Sequence, residues 1–589
     1  MKMRWSLDAL YPSFDSDAFK QDLTKCTEGI RQIKKWTKIS LSNQEEPVKK
    51  LEKYITTQND FLHLYSRLHS FAQLTLSVEA KNEKALKTLE KLETMSTELA
   101  EPTVQFQKWL GSLNNLDQLI SSSEILKEHR FYLLEQANKN QYLLSEQEEV
   151  ILAKMKNTGS KAWAKLQELL TSTLLVEITV NDEEKQLPLP VVRNMAYDSD
   201  PQVRKMAYEA ELKSYKKIEE SSAASLNGIK GEFITISEKR GYQSPLEKTL
   251  LDSRMDQEIL DAMLTAMRES LPSFHKFFRK KAELLGYKNG LPFYELFAPM
   301  GEVDMKYTYD EAREFIVKNF RTFSDKLANF ADRAFAEHWI DAEPREGKRG
   351  GAFCSNLHVI KQSRILSNFT GSFSDVTTLA HELGHGYHGS CLMDQTFLNS
   401  HYPMPIAETA SIFCETIVKN AALQEAEPEE AFAILENELS DAGQVIVDIY
   451  SRFLFESEVF KRRKEASLSV NELKEIMLNA QKEAYGDGLE PDFLHPYMWV
   501  CKPHYYFPER HFYNFPYAFG MLFAKGLYAE YLKRGADFVP EYDKLLSVTG
   551  KMNVADITKT MGIDVRSPEF WRNSLKLVEQ DIEAFIHMK

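Results

Sequence analysis

The sequence has little cysteine and no paired cysteine motif. Its 589 residues include only five cysteines, which are scattered along the chain without a C-x-x-C pair. This pattern argues against a disulfide framework, a zinc ribbon and a thioredoxin-type redox site. We therefore expect free thiols in a reducing compartment, the cytoplasm.

Features of membrane and nucleic-acid-binding proteins are also lacking. No run of about 18 consecutive apolar residues occurs, although a bilayer-spanning helix needs one. Asp8 and Pro12 interrupt the start of the chain, where a secretory signal would need an unbroken apolar segment. The formal net charge is −14, which argues against nucleic acid and against an anionic membrane surface as partners. The oligomeric state is not indicated.

Glycine and proline are scarce over the first part of the chain. Between about residues 15 and 167, apolar residues recur at spacings of three and four, which predicts several antiparallel helices. A β-branched run, the Asn181-Asp182 turn and two prolines within residues 174–190 predict a short hairpin. The glycine-rich stretch 345–373 predicts a small sheet beside a helix. The fold class is therefore mainly α.

The length of the chain predicts more than one lobe. Single hydrophobic cores stop growing near about 250–300 residues, and this chain is about twice as long. No low-complexity linker and no repeat marks a sharp boundary. We expect a helical N-terminal lobe over residues 1–200 and a catalytic lobe over residues 201–589.

The segment DVTTLAHELGHGYHG carries two histidines four residues apart. On a helix, His381 and His385 lie on one face about one turn apart, so both imidazoles can bind one Zn²⁺. Glu382 is rotated beside that face, where its carboxylate can act on a metal-activated water. The spacing predicts two zinc ligands and a catalytic base.

Three glycines accompany these histidines. Gly384, Gly386 and Gly389 each cost the helix about 1 kcal/mol relative to alanine. Close approach of another backbone or of a ligand explains them better than a surface helix with incidental histidines does. The stretch also spells G-x-G-x-x-G, but no strand directly precedes it, so a dinucleotide site is rejected.

A catalytic zinc ion needs a third protein ligand and an open position. The metzincin motif would place that ligand at Cys391 and a glycine at His388, so this class is excluded. Glu408 is the better candidate, because the prolines of PMPIAETAS can open a helix with Glu408 in its first turns. His388 and His401 remain alternatives, although packing roles are commoner for such residues.

Glu415 is the candidate partner for a ligand histidine. It follows Glu408 by seven residues, which places both carboxylates on one helix face. A carboxylate in that position can orient a metal-binding imidazole. For both residues, the alternative is an exposed acidic helix start that is favourable to the helix dipole.

The segment HELGHGYH followed by PIAETASIFCE resembles the oligoendopeptidase F family, relatives of thimet oligopeptidase. The opening WSLDALYPSF and the late HFYNFPYAFG resemble the same family, so the similarity spans nearly the whole chain. The resemblance implies a largely helical, two-lobed shell around a deep channel that admits short peptides. It also implies one zinc ion per chain, held by His381, His385 and Glu408, with Glu382 as the general base.

The resemblance further implies a strand that binds substrate. GKRGGAFCS is similar to the family's strand that pairs with an extended peptide, which assigns Gly350, Gly351, Ala352 and Phe353 to substrate binding. The alternative is a glycine turn that leads into a core strand.

The late segment KPHYYFPERHFYNFPYAFG resembles the part of the family that faces the substrate carbonyl. His504 and Tyr517 are the matching catalytic candidates, and Tyr513 is a candidate for substrate contact. The spacing is one residue longer than in thimet-type relatives, so His511, Tyr506 and Tyr513 stay open as alternatives.

The sequence therefore predicts a zinc endopeptidase for short peptides without a covalent intermediate. An aminopeptidase would carry an acidic anchor before the zinc helix, and Gly350–Cys354 contains none. A dipeptidyl carboxypeptidase would need a cationic cap on the channel, which the sequence does not reveal. The intact Glu382 argues against a catalytically silent peptide-binding scaffold.

Overall fold

A computed structural model describes residues 2–180, 183–301 and 305–588 of the chain. Helices dominate these ranges, which confirms the mainly α prediction. In chain order the α-helices are α1 (Asp17–Ser40), α2 (Pro47–Val78), α3 (Glu83–Thr97), α4 (Ala100–Gly111), α5 (Leu116–Ser121), α6 (Glu124–Glu128), α7 (Arg130–Asn140), α8 (Glu146–Thr158), α9 (Ser160–Thr173), α10 (Leu189–Asn194), α11 (Pro201–Tyr215), α12 (Glu219–Arg240), α13 (Pro245–Asp252), α14 (Gln257–Leu284), α15 (Tyr309–Phe323), α16 (Asp325–Ala336), α17 (Phe373–Leu392), α18 (Met404–Ala407), α19 (Thr409–Glu425), α20 (Pro428–Gly443), α21 (Ile449–Arg463), α22 (Val470–Tyr485), α23 (Met498–Cys501), α24 (Phe515–Arg534), α25 (Phe538–Val548), α26 (Val554–Lys559) and α27 (Pro568–His587).

The predicted hairpin is present. Strand β1 (Leu175–Val180) pairs antiparallel with β2 (Glu183–Pro188), with Leu175 opposite Pro188. The predicted Asn181-Asp182 turn lies outside the described residues.

A three-stranded sheet lies beside α17, as the glycine-rich stretch predicted. It consists of β3 (Ile340–Asp341), β4 (Phe353–Leu357) and β5 (Gln362–Leu366), in the order β3-β5-β4. Strand β5 pairs parallel with β3 and antiparallel with β4, so β4 is an edge strand. The side chain of Asn356 on β4 donates a 3.0 Å hydrogen bond to the carbonyl of His385, which joins the sheet to the helix.

Packing divides the chain into two compact units. The first comprises Met1–Leu143, Asp304–Ala421 and Glu530–Gly562. The second comprises Leu144–Val303, Ala422–Ala529 and Ile563–Lys589. Each unit is therefore assembled from separate stretches of sequence. The division of the chain at residue 200 and the deep channel stay predictions.

Aromatic side chains fill part of the core of the first unit. Tyr11, Phe19 and Phe71 are buried together, with ring centroids 5.2–5.9 Å apart. Leu357 at the end of β4 joins the same cluster and is fully buried. The N-terminal helices and the three-stranded sheet thus share one core.

The second unit combines an apolar core with buried ion pairs. Phe277 of α14 and Phe585 of α27 pack with their ring centroids 5.2 Å apart. Lys230 pairs with Glu456, and both side chains are at most 3% exposed. A buried cation is tolerated only with such a partner, so this pair constrains how the helices that carry Lys230 and Glu456 pack.

No helix in the described ranges combines the length and apolar character needed to cross a bilayer.

Candidate metal centre and active site

The helix that carries both motif histidines has a well-defined start. The Ser372 hydroxyl accepts a hydrogen bond from the Asp375 N–H, and the Asp375 carboxylate accepts one from the Ser372 N–H. The N–H and hydroxyl of Thr370 donate to the same carboxylate. This capping box fixes the first turn of α17 and so the direction in which His381 and His385 project.

Three side chains converge at one point. One ligand atom from each of His381, His385 and Glu408 lies within 4.8 Å of the others. The Glu408 Oε2 is 3.3 Å from the His381 Nε2 and 3.5 Å from the His385 Nε2. Two imidazole nitrogens and one carboxylate oxygen are a donor set of catalytic zinc centres that keep an open position. The residues present therefore fit a metal ion.

Glu415 holds the other nitrogen of the His381 ring. Its Oε2 lies 3.1 Å from the His381 Nδ1, and its Oε1 lies 2.7 Å from the Lys419 Nζ. Burial alone would lower the pKa of His381, but the carboxylates of Glu408 and Glu415 outweigh it and raise that pKa to about 10. The negative charges of Glu408 and Glu415 therefore favour a cation at this position. The contact of Glu415 with the Nδ1 fixes the orientation of the His381 ring.

His385 is held through its backbone and its ring. The ring hydrogen-bonds to the backbone of Ala407. The Asn356 amide that donates to the His385 carbonyl accepts a 2.8 Å hydrogen bond from the Ser363 hydroxyl. Burial outweighs the field of Glu408 and lowers the pKa of His385 to about 4. The neutral imidazole is the form that binds metals.

Glu382 is buried beside this cluster. Glu382 is 6% exposed, and its Oε2 has no hydrogen-bond partner among the described residues. Burial raises the pKa of Glu382 to about 7. The negative charge of Glu408 also raises this pKa, whereas the positive charge of His381 lowers it. A buried polar atom without a partner is costly, so this carboxylate is a candidate for a chemical role.

The close backbone approach predicted from the glycines is confirmed at Gly384. A Cβ atom there would lie 2.4 Å from the Ala410 carbonyl oxygen and 2.6 Å from the Ser411 Cα. The missing side chain lets α17 approach the start of α19. Gly386 and Gly389 lie against side chains of a neighbouring helix and of the sheet.

Glu408 lies at the junction between α18 and α19. The Ser411 hydroxyl donates a 2.8 Å hydrogen bond to its Oε2. Hydrogen bonds and the two histidines outweigh burial and lower the pKa of Glu408 to about 2. The carboxylate is therefore ionised and directed at the imidazoles.

The two alternative ligands lie elsewhere. His388 is fully buried, with its Nε2 2.8 Å from the Thr549 hydroxyl and its ring stacked on Tyr402. His401 is exposed, and its ring contacts Phe397. Neither belongs to a metal-compatible group among the described residues.

The predicted substrate strand is half-exposed. β4 begins at Phe353 and has a free edge in the three-stranded sheet. Gly351 before it has φ +77°, a left-handed conformation that favours glycine. The Asn368 amide donates to the carbonyls of Arg349 and Gly351, which holds the turn. A Cβ atom at Gly350 or Gly351 would meet no atom within 4 Å.

Three residues of the late aromatic segment form one cluster in the second unit. The Tyr517 hydroxyl donates a 3.1 Å hydrogen bond to the Tyr513 hydroxyl. The rings of His504 and Tyr513 lie 5.0 Å apart, and the His504 Nδ1 is 2.8 Å from the Asn514 Oδ1. All three members, His504, Tyr513 and Tyr517, are half-buried.

The other two candidates from this segment are enclosed. His511 is 1% exposed, and its Nδ1 lies 3.1 Å from the buried Lys230 Nζ. Tyr506 is 3% exposed. Both side chains belong to the interior of the second unit.

Sequence reasoning missed three residues that position the candidate groups. The Ser411 hydroxyl binds the Glu408 carboxylate. Ser411 follows Glu408 by three residues, a spacing that could have indicated this contact. Asn356 binds the backbone of His385, and Asn514 binds His504. For these two asparagines no local sequence pattern marks the role.

Comparisons with known proteins identify relatives along the chain. The family model of Peptidase family M3 matches residues 194–577, and the model of Oligopeptidase F matches residues 112–175. Oligopeptidase PepF of Bacillus subtilis is 24% identical, over 98% of this chain and 86% of that protein. A crystal structure from Chlamydophila abortus superposes with a TM-score of 0.85 at 22% identity, covering 100% of this chain and 98% of that one. Oligoendopeptidase-F from Enterococcus faecium gives a TM-score of 0.69 at 17% identity, covering 96% and 98%.

Proposed function

The chain belongs to peptidase family M3, and from this premise we propose that it is a zinc-dependent endopeptidase that hydrolyses internal bonds of short peptides. The observation that carries the proposal is the convergence of His381, His385 and Glu408 beside the carboxylate of Glu382, whose Oε2 has no hydrogen-bond partner among the described residues. This arrangement combines a metal-binding donor set with a candidate base.

His381, His385 and Glu408 are the proposed ligands of one zinc ion per chain. Glu415 fixes the His381 ring through its Nδ1, so that the Nε2 is presented to the metal. When bound, Zn²⁺ supplies a Lewis acid that polarises the scissile carbonyl and acidifies a water molecule.

Glu382 is the proposed general base. Its position one residue after His381 places the carboxylate beside the ligand face of α17. Its Oε2, which has no hydrogen-bond partner in the described part of the chain, can accept the proton of the attacking water. The same carboxyl group then delivers the proton to the leaving amine.

Tyr517 and His504 are the proposed hydrogen-bond donors to the developing oxyanion. Their accessibility supports this assignment, because His504 and Tyr517 are half-buried, whereas Tyr506 and His511 are at most 3% exposed. Tyr513 contacts both residues and is the proposed substrate-contact residue beside them.

The edge of β4 is the proposed substrate-binding strand, with Gly350, Gly351, Ala352 and Phe353 leading into it. An extended peptide can add to a free sheet edge through main-chain hydrogen bonds. Such pairing depends little on side chains, which suits an enzyme for peptides of varied sequence.

We also propose a reducing location such as the cytoplasm, because all five cysteines are free.

The test uses purified protein with a measured zinc content and two random libraries of short peptides, one with blocked termini and one with free termini. Mass spectrometry of the products should find internal cleavage, which a chelator abolishes and added zinc restores. Hydrolysis only of peptides with free ends would indicate an exopeptidase. Absence of hydrolysis by zinc-loaded protein would refute the proposal.

A further inference from the structure

A cavity of about 740 Å³ lies within the second compact unit. This volume is in the range of small-molecule sites, about 300–1,000 Å³. Its wall includes Gln444 and Asp448, the two ends of a π-helical turn between α20 and α21. Single π-helical turns inside helices occur frequently at functional sites.

One cation of the wall has no hydrogen-bonded or ion-paired partner among the described residues. Three ion pairs contribute to the wall, namely Arg193 with Glu211, Arg204 with Glu295, and Arg452 with Asp448. Lys502 also lines the cavity. Its ammonium group forms no salt bridge and no hydrogen bond within the described part of the chain, and Asp448 is already held by Arg452.

The environment of Lys502 makes this lack of a partner costly. The residue is half-buried, and burial together with the nearby positive charges of Arg452 and Arg193 lowers the pKa of Lys502, although the Asp448 carboxylate acts in the opposite direction. Buried cations normally hold a counter-ion. An anionic ligand would supply the missing charge.

The rest of the wall is largely aromatic. Tyr197 and Phe297 pack with ring centroids 4.9 Å apart, and Tyr208 and Tyr294 with centroids 5.4 Å apart. Four further wall residues each bury a polar atom without a hydrogen-bond partner among the described residues, namely the Gln167 Oε1, the Tyr485 hydroxyl, the His495 Nδ1 and the Tyr506 hydroxyl. The cavity thus combines an apolar lining with a few unmatched polar groups, as ligand sites do.

We propose that this cavity binds a small aromatic carboxylate, such as the carboxyl-terminal residue of a short peptide. The carboxylate pairs with Lys502, and the aromatic ring packs among the tyrosine and phenylalanine side chains of the wall. A neutral analogue of the same shape lacks the charge that Lys502 requires.

The cavity is connected to the late aromatic cluster within the same unit. Lys502 and Phe507 line the cavity and flank His504 in the chain. The Asn514 Oδ1 accepts hydrogen bonds from both His504 and Arg452, and Arg452 pairs with Asp448 of the wall. The Asn514 carbonyl also accepts a hydrogen bond from the Tyr517 N–H. A ligand on Lys502 therefore acts on the positions of His504 and Tyr517, and this coupling rests on the proposed function.

Binding is tested by calorimetry on the zinc-loaded, full-length protein. The probes are N-acetyl-phenylalanine and its amide, which differ only in the carboxylate. We expect the carboxylate to bind at least about ten-fold more tightly, since a hydrogen bond to a charged group contributes about 1.5–3 kcal/mol. Equal binding of the two probes, or no binding of either at millimolar concentration, would overturn the proposal.

Three variants locate the site. Lys502→Met should remove the preference for the carboxylate, whereas Lys502→Arg should retain it. Tyr197→Ala changes an exposed side chain at the cavity and should weaken the binding of both probes without loss of folding. Glu408→Ala distinguishes binding of the probe in this cavity from binding at the proposed metal site, where a carboxylate could also bind. Loss of binding in Glu408→Ala with unchanged binding in Lys502→Met would place the probe at the metal and refute the cavity site.

The coupling has its own measurement. Saturating N-acetyl-phenylalanine should change kcat for a short peptide at least about two-fold, and the change should vanish in Lys502→Met. A purely competitive effect on KM would contradict the coupling. The calorimetric result stands apart from peptidase activity, so failure of the proposed function and failure of the cavity site are distinguishable.

Discussion

Glu382 is the proposed general base of the site. It follows His381 in the chain, its side chain is buried, and one of its oxygens lacks a partner among the described residues. Glu382→Gln preserves the shape but cannot accept a proton. We expect this variant to retain about one zinc ion per chain, by atomic absorption, while kcat falls by about 10²–10⁴-fold or more.

Two outcomes would contradict that role for Glu382. Loss of zinc from Glu382→Gln would indicate that the carboxylate binds the metal itself. Substantial residual activity would indicate that another group accepts the proton.

Glu408 and His401 form a matched pair for identifying the third ligand. Glu408→Ala removes the oxygen that lies 3.3 Å from the His381 Nε2 and 3.5 Å from the His385 Nε2, so zinc binding should weaken strongly. His401→Ala changes an exposed ring and should leave the zinc content near that of the wild type. Equilibrium dialysis against a zinc buffer measures both affinities, and the reverse result would exclude Glu408 as the ligand.

Tyr517 tests the assignment of the late aromatic segment. An oxyanion donor acts mainly in the transition state, and loss of one typically lowers kcat by about 10²–10³-fold. Tyr517→Phe should therefore lower kcat by about that factor, with little change in KM, zinc content or melting temperature. Tyr506→Phe removes a hydroxyl that is enclosed in the second unit and should leave kcat near the wild-type value.

The register of this segment decides how the tyrosine variants are interpreted. If Tyr517→Phe is silent and Tyr513→Phe lowers kcat, the donor is the neighbouring tyrosine of the same cluster. If all three variants are silent, the oxyanion donor lies outside this segment.

Local spacing made part of the site predictable at the residue scale. His381 and His385 could be paired because two residues four apart on a helix must share a face. Asn356 and Asn514 could not be found in this way, because their roles come from contacts between distant segments and from loop geometry. His388 resembled a ligand in sequence but binds Thr549, which is 161 residues away.

At the scale of elements, the approach of α17 to α19 brings together the three residues of the proposed metal site. Gly384→Ala would gain about 1 kcal/mol in helix propensity. The added methyl group, however, would meet the backbone of Ala410 at 2.4 Å, and overpacking of this kind costs typically about 1–3 kcal/mol or more. We expect a lower melting temperature and weaker zinc binding.

Gly350→Ala is the matched control for Gly384→Ala. A Cβ atom at Gly350 meets open space, so the melting temperature and zinc affinity should stay near those of the wild type. Equal stability of the two variants would show that α17 and α19 can separate without cost.

Sequence patterns predicted the kinds of elements better than their junctions. β-branched residues and prolines identified the hairpin, and the glycine-rich stretch identified the sheet beside α17. The prolines before Glu408 indicated a helix start, but the structure places Glu408 between two helices, α18 and α19. Just after this break, the backbone of Ala410 and Ser411 lies against Gly384, and no local pattern tells which backbone approaches that glycine.

At the scale of the whole molecule, each compact unit is built from distant parts of the chain. The N-terminal segment illustrates this, because Arg4 binds Glu343 and the Met3 carbonyl accepts a hydrogen bond from the Ala342 N–H. Trp5 and Phe353 pack near the start of β4. The opening WSLDALYPSF therefore supports the sheet beside α17, although composition and periodicity gave no sign of that contact.

The free edge of β4 limits the substrates that the protein can accept. Pairing with β4 requires a substrate whose main-chain N–H and C=O groups are not already bonded. In a folded domain these groups are satisfied, and exposing them by global unfolding costs about 5–15 kcal/mol. Since about 1.4 kcal/mol corresponds to a factor of ten, we expect a susceptible sequence to be cleaved at least about 10³-fold more slowly inside a stable domain than as a free peptide.

Besides the free peptide and the folded domain, a third substrate shows whether the protein requires only an extended chain or also a short one. The same domain, unfolded by a destabilising substitution, presents an extended but long chain. Its cleavage, followed by mass spectrometry, would show that pairing at β4 is sufficient. If it is spared like the folded domain, a limit on length operates as well, which the enclosed channel implied by the family resemblance would impose. Efficient internal cleavage of the folded domain would contradict both, because neither a sheet edge nor a narrow channel can accept a chain whose backbone is already paired.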